Sequence, residues 1–223
     1  MPMSFSLGKP EFQFEPSTWQ PEVLAKMDTH HIVAIADDVR TRTRFASNFQ
    51  RFLSIQPNTE VCILHGRSIL TIEGLCAQLE CLIPTDQLAR TIDGPMGVAT
   101  LLRKHPIITG HPPIRRRYFL FHDADVIARA NPDLFADIVE VFAGVAGELE
   151  FAMGESTFLQ RSLYLGGPAL EAEARSPDSR LHTWSPENTP GIPFWSLVTG
   201  LKQPRTTLCS IEALVASNGQ RIA

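Results

Sequence analysis

Short apolar runs, each bounded by charged or turn-forming residues, recur along the chain and predict β-strands. The clearest lies within residues 115–130, which read RRRYFLFHDADVIARA, where the apolar run stops at His122 and Asp123. A wholly apolar run bounded by charge is typical of a strand buried on both faces of a parallel sheet. Runs of this kind predict five strands, over His31–Ala36, Glu60–Leu64, Arg117–Phe121, Leu149–Met153 and Thr206–Ile211.

Helical periodicity fills the spaces between these strands. The apolar residues after the first strand recur at the spacing of a single helix face and predict a helix over Val39–Leu53. Asn131 and Pro132 form a strong helix start, and Gly144 and Gly147 are expected to end that helix. Further helices are expected from residue 69 or 71 to residue 83, over residues 98–104, and over Thr157–Tyr164.

The alternation of strands and helices predicts an α/β fold, with three α-β-α layers around a mainly parallel five-stranded sheet. Residues 1–28 are predicted to form an arm rich in proline and aromatic residues, which packs on its own domain or on a neighbouring subunit. Residues 29–170 are the predicted core domain. Residues 171–223 are expected to supply a long loop and then a C-terminal strand and helix that complete the same domain.

The composition excludes some classes of function. The chain has 43% hydrophobic and 20% charged residues, as ordinary globular proteins do. Its formal net charge of -4 argues against a nucleic-acid partner. No apolar run approaches the roughly 20 residues of a membrane helix, so no membrane partner is expected. The N-terminus lacks the pattern of a signal peptide, and the four cysteines include no CxxC pair, so we expect reduced thiols in a cytoplasmic protein.

Acidic residues and histidines follow the predicted strands, where parallel sheets place their functional groups. With the start of the first core helix they give the candidate ligand-binding set: Asp37, Asp38, Arg40, Thr41, His65, His122, Asp123, Asp125 and Ser156. Carboxylates and imidazoles at adjacent strand ends are suitable ligands for a divalent ion. Alternatively, Asp125 caps a local turn and Asp123 is a solvated loop residue. We assign no catalytic residue, no metal ligand and no cofactor.

Arginines form two further groups in the sequence. Arg40, Arg44 and Arg51 share a face of the first core helix, and residues 103–104 and 115–117 form a candidate basic rim. Each group is either a solvated charged surface or a site for phosphate or an acidic partner.

The order of elements resembles the core of P-loop ATPases, most closely the AAA-type ATPases of the secretion-pathway and transposition-helper kind. The resemblance covers about residues 29–165. HIVAIA takes the place of the strand before the phosphate loop, TEVCILHGRSILTIEGLCAQLECLIP that of the second unit, RRYFLFHDADVI that of the acidic strand, and LEFAMGESTFLQ that of the sensor strand. The resemblance implies the strand order 5-1-4-3-2 and aligns Asp123 with the family's magnesium-holding aspartate.

The diagnostic residues of that family are missing. In place of the phosphate loop GxxxxGK[ST] stands AIADDVRTRTRF, which has neither glycines to wrap the phosphates nor a lysine to neutralise them. Asp37 and Asp38 would place two negative charges beside a triphosphate, and Ala124 takes the place of the family's catalytic glutamate. We therefore predict a degenerate P-loop-like protein that does not hydrolyse ATP by the usual route.

The function expected from this pattern is protein–protein contact, as a regulator or an assembly component. The partner is a protein, with a second copy of the chain among the candidates. The alternative is a nucleotide- or metal-dependent enzyme with an atypical acidic site at the carboxyl ends of the strands. An enzyme needs a deep polar pocket there, whereas an interaction module should expose an apolar patch.

Overall fold

The computed structural model describes residues 19–82, 97–103, 114–153, 158–175 and 205–216. The described strands are β1 (His30–Ile35), β2 (Thr59–His65), β3 (Arg116–His122), β4 (Leu159–Gly166) and β5 (Arg205–Ser210). The described helices are α1 (Gln20–Thr29), α2 (Val39–Ser54), α3 (Ile72–Leu82), α4 (residues 97–103), α5 (Ala124–Ala130), α6 (Pro132–Met153), α7 (Pro168–Arg175) and α8 (Ile211–Ala216). A short 3-10 turn, Gly66–Ser68, follows β2.

The five described strands run parallel in a sheet of order β2-β3-β4-β1-β5. Read from the other side, this is the predicted order 5-1-4-3-2, which is confirmed. The register places Leu163 of β4 between Ile32 of β1 and Leu120 of β3. Because the strands are parallel, their carboxyl ends lie along a common edge of the sheet.

Alternating side chains of the strands build two cores, one on each face of the sheet. On β3, Phe119 and Phe121 belong to the first core, and Tyr118 and Leu120 belong to the second. Helices α3 to α7 cover the first core, and α1, α2 and α8 cover the second. The predicted three-layer α-β-α fold is confirmed, and burial on both faces explains why the strand runs are continuously apolar.

Helix α6 is longer than the sequence predicts. The predicted strand Leu149–Met153 is the end of α6, and Gly144 and Gly147 lie inside this helix rather than at its end. A glycine in a helix interior costs only about 1 kcal/mol. The apolar face of α6 continues past both glycines, since Val145 and Leu149 are buried. Burial of that face outweighs the glycine cost, so the predicted helix end is wrong.

The fourth strand lies further along the chain than predicted. β4 begins at Leu159, in a segment where the sequence predicts the short helix Thr157–Tyr164. Gln160 and Arg161 interrupt the apolar run, which hid the strand from pattern analysis. Both side chains are nevertheless buried, because polar partners at the amino edge of the sheet receive them.

Described residues also lie outside the predicted core domain of residues 29–170, among them residues 19–28 and 171–175. Trp19, within the predicted arm, stacks on Phe45 of α2 with ring centroids 4.8 Å apart. Residues 1–18 lie outside the described residues. Residues 171–175 belong to α7 and not to the predicted loop, while residues 176–204 lie outside the described residues. Among the described helices, none is both long enough and apolar enough to cross a membrane.

Candidate functional site

The carboxyl edge of the sheet changes direction between β1 and β4. β1 leads into α2 on one face, and β4 leads into α7 on the other face. Strand connections that diverge in this way open a crevice, which is where open α/β sheets bind their ligands. The candidate residues were predicted at this edge, and the structure places those that it describes there.

The β1–α2 connection is short, and one of its own side chains caps the start of α2. It consists of residues 36–38, between the end of β1 and the start of α2. The Asp38 carboxylate caps α2 by accepting hydrogen bonds from the N–H groups of Arg40 (3.2 Å) and Thr41 (2.9 Å) and from the Thr41 hydroxyl (3.0 Å). The hydrogen bonds from Thr41 and Arg40 hold the pKa of Asp38 below its usual value. The helix start therefore already holds a carboxylate.

Arg42 joins the two diverging connections. Its Nη1 donates to the backbone oxygen of Ala36 at 2.6 Å. The same nitrogen would lie 2.8 Å from a β-carbon placed on Gly167, which follows β4. A larger residue at position 167 would displace the guanidinium, so the glycine makes room for it. Arg42 was not among the predicted site residues, because its position in α2 gave no sign that it turns back towards β1.

The β3–α5 turn is built on a left-handed backbone at Asp123, with φ 52° and ψ 40°. Its carboxylate makes no capping hydrogen bond to α5 and instead accepts one from Arg67 Nε at 2.8 Å. A β-carbon on Gly66 would lie 2.2 Å from the Asp123 carbonyl oxygen. The connections after β2 and β3 are thus in direct backbone contact, which only glycine at position 66 permits.

Two histidines lie side by side at this edge. His65 and His122 are paired in register, and their ring centroids are 5.6 Å apart. Burial lowers the pKa of His122, and the neighbouring His65 lowers it further. Nε2 of His122 is buried without a hydrogen-bond partner. Of the two histidines, His122 lines the cleft described below and His65 does not.

Asp125 lies in the first turn of α5 and does not cap a turn as the alternative interpretation expected. Its side chain is largely buried, and Oδ2 lies 3.8 Å from Nη2 of Arg129. Oδ1 is buried without a hydrogen-bond partner. One oxygen of the Asp125 carboxylate therefore lies near a cation, and the other has no hydrogen-bond partner.

A small cleft opens between α2 and the ends of β3 and β4. Its empty volume is about 240 Å³, and its walls are Val39, Arg42, Thr43, His122, Asp123 and Leu165. Two predicted site residues line it. Asp37, Asp38, Arg40, Thr41, His65 and Asp125 lie around the same edge but do not line the cleft, and Ser156 lies outside the described residues.

The cleft offers one cation, one carboxylate, one hydroxyl and one imidazole. Within the described ranges, no group of three or more histidine, cysteine or acidic side chains is arranged to hold a metal ion. These four groups can donate hydrogen bonds to a small polar molecule and accept hydrogen bonds from it. It lacks the row of backbone N–H groups that holds a triphosphate.

The amino edge of the sheet carries a second polar cluster, which the sequence did not identify as such. Arg161 of β4 pairs with Glu150 of α6, and its Nη2 also donates to the backbone oxygen of Asp28 at 3.0 Å. Asp28 in turn accepts a hydrogen bond from the Tyr118 hydroxyl at 2.6 Å and lies 3.5 Å from Arg116. These contacts join α1 and α6 to strands β3 and β4.

Two arginines of the candidate basic rim, Arg103 and Arg117, have acidic partners within the chain. Arg117 is wholly buried and donates from Nε to Glu60 at 2.6 Å. Arg103 of α4 makes two hydrogen bonds to Glu148 of α6, at 2.6 and 2.9 Å. These arginines are committed to acidic partners within the chain, so they offer no free surface to phosphate. Residue 104 lies outside the described residues.

His31 completes the amino-edge cluster. Its side chain is fully buried, and Nδ1 accepts a hydrogen bond from the Ser162 backbone N–H at 3.1 Å. Burial lowers the pKa of His31 well below its usual value, and the positive charge of Arg161 lowers it further. The imidazole is therefore neutral and acts as a hydrogen-bond acceptor inside the fold.

Comparisons with known proteins do not assign this chain to a family. A scan against models of protein families finds no match, and a search of curated proteins finds no significant relative.

Proposed function

We propose that this chain is a non-catalytic, P-loop NTPase-like protein that acts through protein–protein contact, as a regulator or an assembly component. The observation that carries the proposal is the β1–α2 connection. Residues 36–38 are fewer than the GxxxxGK[ST] motif alone contains. The N–H groups of Arg40 and Thr41, which would face a phosphate, bind Asp38 instead. A triphosphate would have to displace a carboxylate of the protein itself.

The acidic strand end supports the same proposal. Asp123, which aligns with the magnesium-holding aspartate of the resembling family, is paired with Arg67. Ala124, at the position of the family's catalytic glutamate, is fully buried and faces the core. With one carboxylate neutralised and the other absent, neither magnesium binding nor water activation has its usual residues.

The size of the cleft also favours a non-catalytic role. Ligand pockets for molecules of nucleotide size typically enclose about 300–1,000 Å³. The cleft at the switch point encloses about 20 Å³ of space that a water-sized molecule can occupy, and the 240 Å³ of empty volume includes open solvent. Large apolar side chains are instead exposed at the surface, at Val39, Ile55, Leu70 and Phe151. Exposed apolar groups are what protein partners bury.

A cytoplasmic location and a protein partner, with self-association as one form, belong to the same proposal. All four cysteines are free thiols, as expected in a reducing compartment. Burial raises the pKa of Cys62 to about 12, so this thiol is inert and not a redox centre.

Thermal unfolding with and without millimolar ATP or GTP and Mg²⁺ tests the proposal. A nucleotide at about 100 times its dissociation constant would add about 2.7 kcal/mol, which raises the midpoint of a domain of this size by roughly 5–10 °C. We expect no shift. A shift of that size in the unaltered chain, abolished by Asp123→Ala, would overturn the proposal.

A variant at the start of α2 tests directly whether Asp38 blocks an anion site there. Asp38→Gly removes the carboxylate and leaves the N–H groups of Arg40 and Thr41 open. We expect sulfate to raise the unfolding midpoint of this variant more than that of the unaltered chain. Equal effects of sulfate on both proteins would show that Asp38 does not block an anion site.

The second candidate is an enzyme with an atypical site at the strand ends, which depends on a nucleotide or a metal ion. The observation in its favour is two buried polar atoms without hydrogen-bond partners, Nε2 of His122 in the wall of the cleft and Oδ1 of Asp125 in the first turn of α5. Burial also lowers the pKa of His122, and a buried group with a shifted pKa marks a functional site more often than an ordinary surface group does. Stabilisation by Mg²⁺, Mn²⁺ or Zn²⁺ that His122→Gln and Asp125→Asn both remove would establish this candidate.

A further inference from the structure

Arg42, in the wall of the cleft, is held in place by backbone oxygens and not by a carboxylate. Its Nη1 donates to the backbone oxygen of Ala36 at 2.6 Å and to that of Asp37 at 3.4 Å. Within the residues that the structure describes, its Nε and Nη2 make no hydrogen bond and the guanidinium forms no ion pair. One nitrogen therefore fixes the side chain, and two nitrogens remain for an acceptor from outside the chain.

These two nitrogens are the ones that bind a carboxylate side-on. Nε and Nη2 of a guanidinium point their N–H bonds in parallel, so that they match the two oxygens of a carboxylate. The protein itself shows this arrangement at Arg103, whose Nε and Nη2 donate to the two oxygens of Glu148 at 2.6 and 2.9 Å. At Arg42 the same two nitrogens have no acceptor, so the cleft contains a preformed carboxylate-binding group.

The other charged groups at this edge do not compete for Arg42. Asp123, in the same wall, accepts a hydrogen bond from Arg67 at 2.8 Å, and Asp38 is held by N–H groups at the start of α2. His122 also lines the cleft, and burial lowers its pKa, so its ring is neutral near pH 7. Its buried Nε2 has no hydrogen-bond partner. With the proton on Nε2, this ring can donate to an oxygen that enters the cleft.

The cleft has room for one functional group rather than for a whole ligand. A water-sized molecule can occupy about 20 Å³ of it, and a single water needs about 10–15 Å³. Val39 and Leu165 belong to the same wall, and the Val39 side chain is 55% exposed. Apolar surface therefore lies beside the unpaired guanidinium. An acidic side chain, with a carboxylate at the end of one or two methylene groups, has the matching composition.

We infer that the cleft receives one aspartate or glutamate side chain of a protein partner. The two carboxylate oxygens accept hydrogen bonds from Nε and Nη2 of Arg42, Nε2 of His122 supplies a third, and the methylene groups pack on Val39. The inference rests on the proposed function and names the chemistry that the partner presents. A carboxylate fits better than a phosphate, because a phosphate is larger and would place a second negative charge beside Asp123.

NMR spectroscopy of the full, isotope-labelled chain tests this inference. The probe is sodium propionate, which carries the carboxylate and methylene groups of a glutamate side chain. Its controls are propionamide and sodium chloride at equal ionic strength. We expect saturable shifts of the Arg42 Nε–H and His122 ring signals, with a dissociation constant of the order of 10 mM, and none with propionamide. Propionate should also raise the pKa of His122, because a nearby carboxylate stabilises the protonated ring.

Matched variants assign the binding to Arg42, with the His122 ring signals as the readout. Arg42→Gln removes the guanidinium and should weaken binding at least tenfold. Arg42→Lys keeps the charge but loses the paired Nε and Nη2 donors, so it should weaken binding severalfold. Arg51→Gln removes the same charge from the other end of α2, where the side chain is exposed, and should change binding less than twofold. Circular dichroism and unfolding midpoints check that each variant is folded.

A blocked amino acid distinguishes a protein side chain from a free small acid. N-acetyl-glutamate N-methylamide carries a peptide group on both sides, and we expect it to bind at least as tightly as propionate. Its exclusion from a cleft that binds propionate would mean that the ligand is a free acid, and would overturn the assignment to a partner.

Three further results would overturn the inference. These are no saturable shift with propionate, equal losses from Arg42→Gln and Arg51→Gln, and tighter binding of inorganic phosphate than of propionate. None of them changes the outcome of the nucleotide experiment. A nucleotide-dependent rise in the unfolding midpoint would overturn the proposed function even if propionate bound to Arg42.

Discussion

At the amino edge of the sheet, Arg161 and Glu150 form an ion pair whose side chains are only 5% and 10% exposed; at the carboxyl edge, Arg67 and Asp123 form one with exposures of 74% and 31%. The first pair is buried away from water, so each of its charges is stabilised by its protein partners and not by solvent. The second is surrounded by solvent, which screens it. Parallel sheets usually carry their functional groups at the carboxyl edge, and here the ion pair at that edge should stabilise the fold only weakly. The buried pair at the amino edge should stabilise it more, because it holds the layers together.

The largest effect is expected from breaking the buried pair. Glu150→Ala leaves the Arg161 guanidinium buried without its carboxylate, which typically costs about 3–5 kcal/mol. Urea unfolding of the variant should show that loss. Replacing both residues, Glu150→Leu with Arg161→Met, should recover most of the stability, because no uncompensated charge remains. A double variant as unstable as the single one would mean that packing, not charge, dominates at this edge.

Acid should destabilise the protein through the amino edge. The pKa of His31 in the folded state lies below its unfolded value near 6.5, so the unfolded state binds the proton more readily. The contribution is fully present above about pH 6.5 and is lost as the pH falls below that value, by up to about 1.4 kcal/mol per pH unit. Urea unfolding between pH 7.5 and 5 measures the slope.

Two histidine variants show which edge of the sheet causes this pH dependence of the unfolding free energy. His31→Gln should flatten the pH dependence, and His122→Gln should flatten it less, because His122 is less deeply buried and its neighbour Asp123 opposes the shift in pKa. An equal or larger change in His122→Gln would place the pH sensitivity of the fold at the carboxyl edge and reverse the comparison.

A moderate effect is expected from the hydrogen bond between Tyr118 and Asp28. Tyr118→Phe removes a 2.6 Å hydrogen bond to a carboxylate and should cost about 1–2 kcal/mol. The charge of Asp28 keeps its contact with Arg116, which limits the loss. A double-mutant cycle with Asp28→Asn measures the coupling between the two side chains. A coupling energy near zero would show that this hydrogen bond does not help to hold α1 against the sheet.

The smallest effect is expected at the exposed pair. Arg67→Ala should cost less than about 1 kcal/mol, because solvent screens pairs of this kind. Asp123→Asn removes the charge and keeps a residue that tolerates the left-handed backbone, so its cost should be similar. Loss of several kcal/mol from Arg67→Ala, measured by the same urea unfolding, would show that the carboxyl edge is as firmly held as the amino edge.

The sequence predicts the layers because the strands are apolar and stand out from their surroundings, whereas the strand order was implied by the resemblance to P-loop ATPases. It fails at α6 and β4 for physical reasons. Gly144 and Gly147 look like a helix end, but the apolar face on both sides of them keeps the helix intact. Gln160 and Arg161 look like surface residues, but acidic and backbone partners brought together by the fold bury them.

The candidate site is predictable to a similar extent. Residues that directly follow strands, such as His122 and Asp123, are found at the expected edge, because a parallel sheet collects its carboxyl ends there. Arg42 and Thr43 are not predictable as cleft residues, since their orientation depends on how α2 lies against the sheet. The capping role of Asp38 follows from the preference of helix starts for aspartate, and the structure shows it in the hydrogen bonds from the N–H groups of Arg40 and Thr41.

The contact between Gly66 and Asp123 restricts what related sequences can contain. A β-carbon at position 66 would collide with the Asp123 carbonyl, and the left-handed backbone at position 123 favours aspartate, asparagine or glycine. A substitution at either position strains the turn that both share, so the two should vary together. Distant relatives of this chain should therefore be recognisable by a glycine after the second strand and by a small residue of that kind after the third, even where overall similarity has faded.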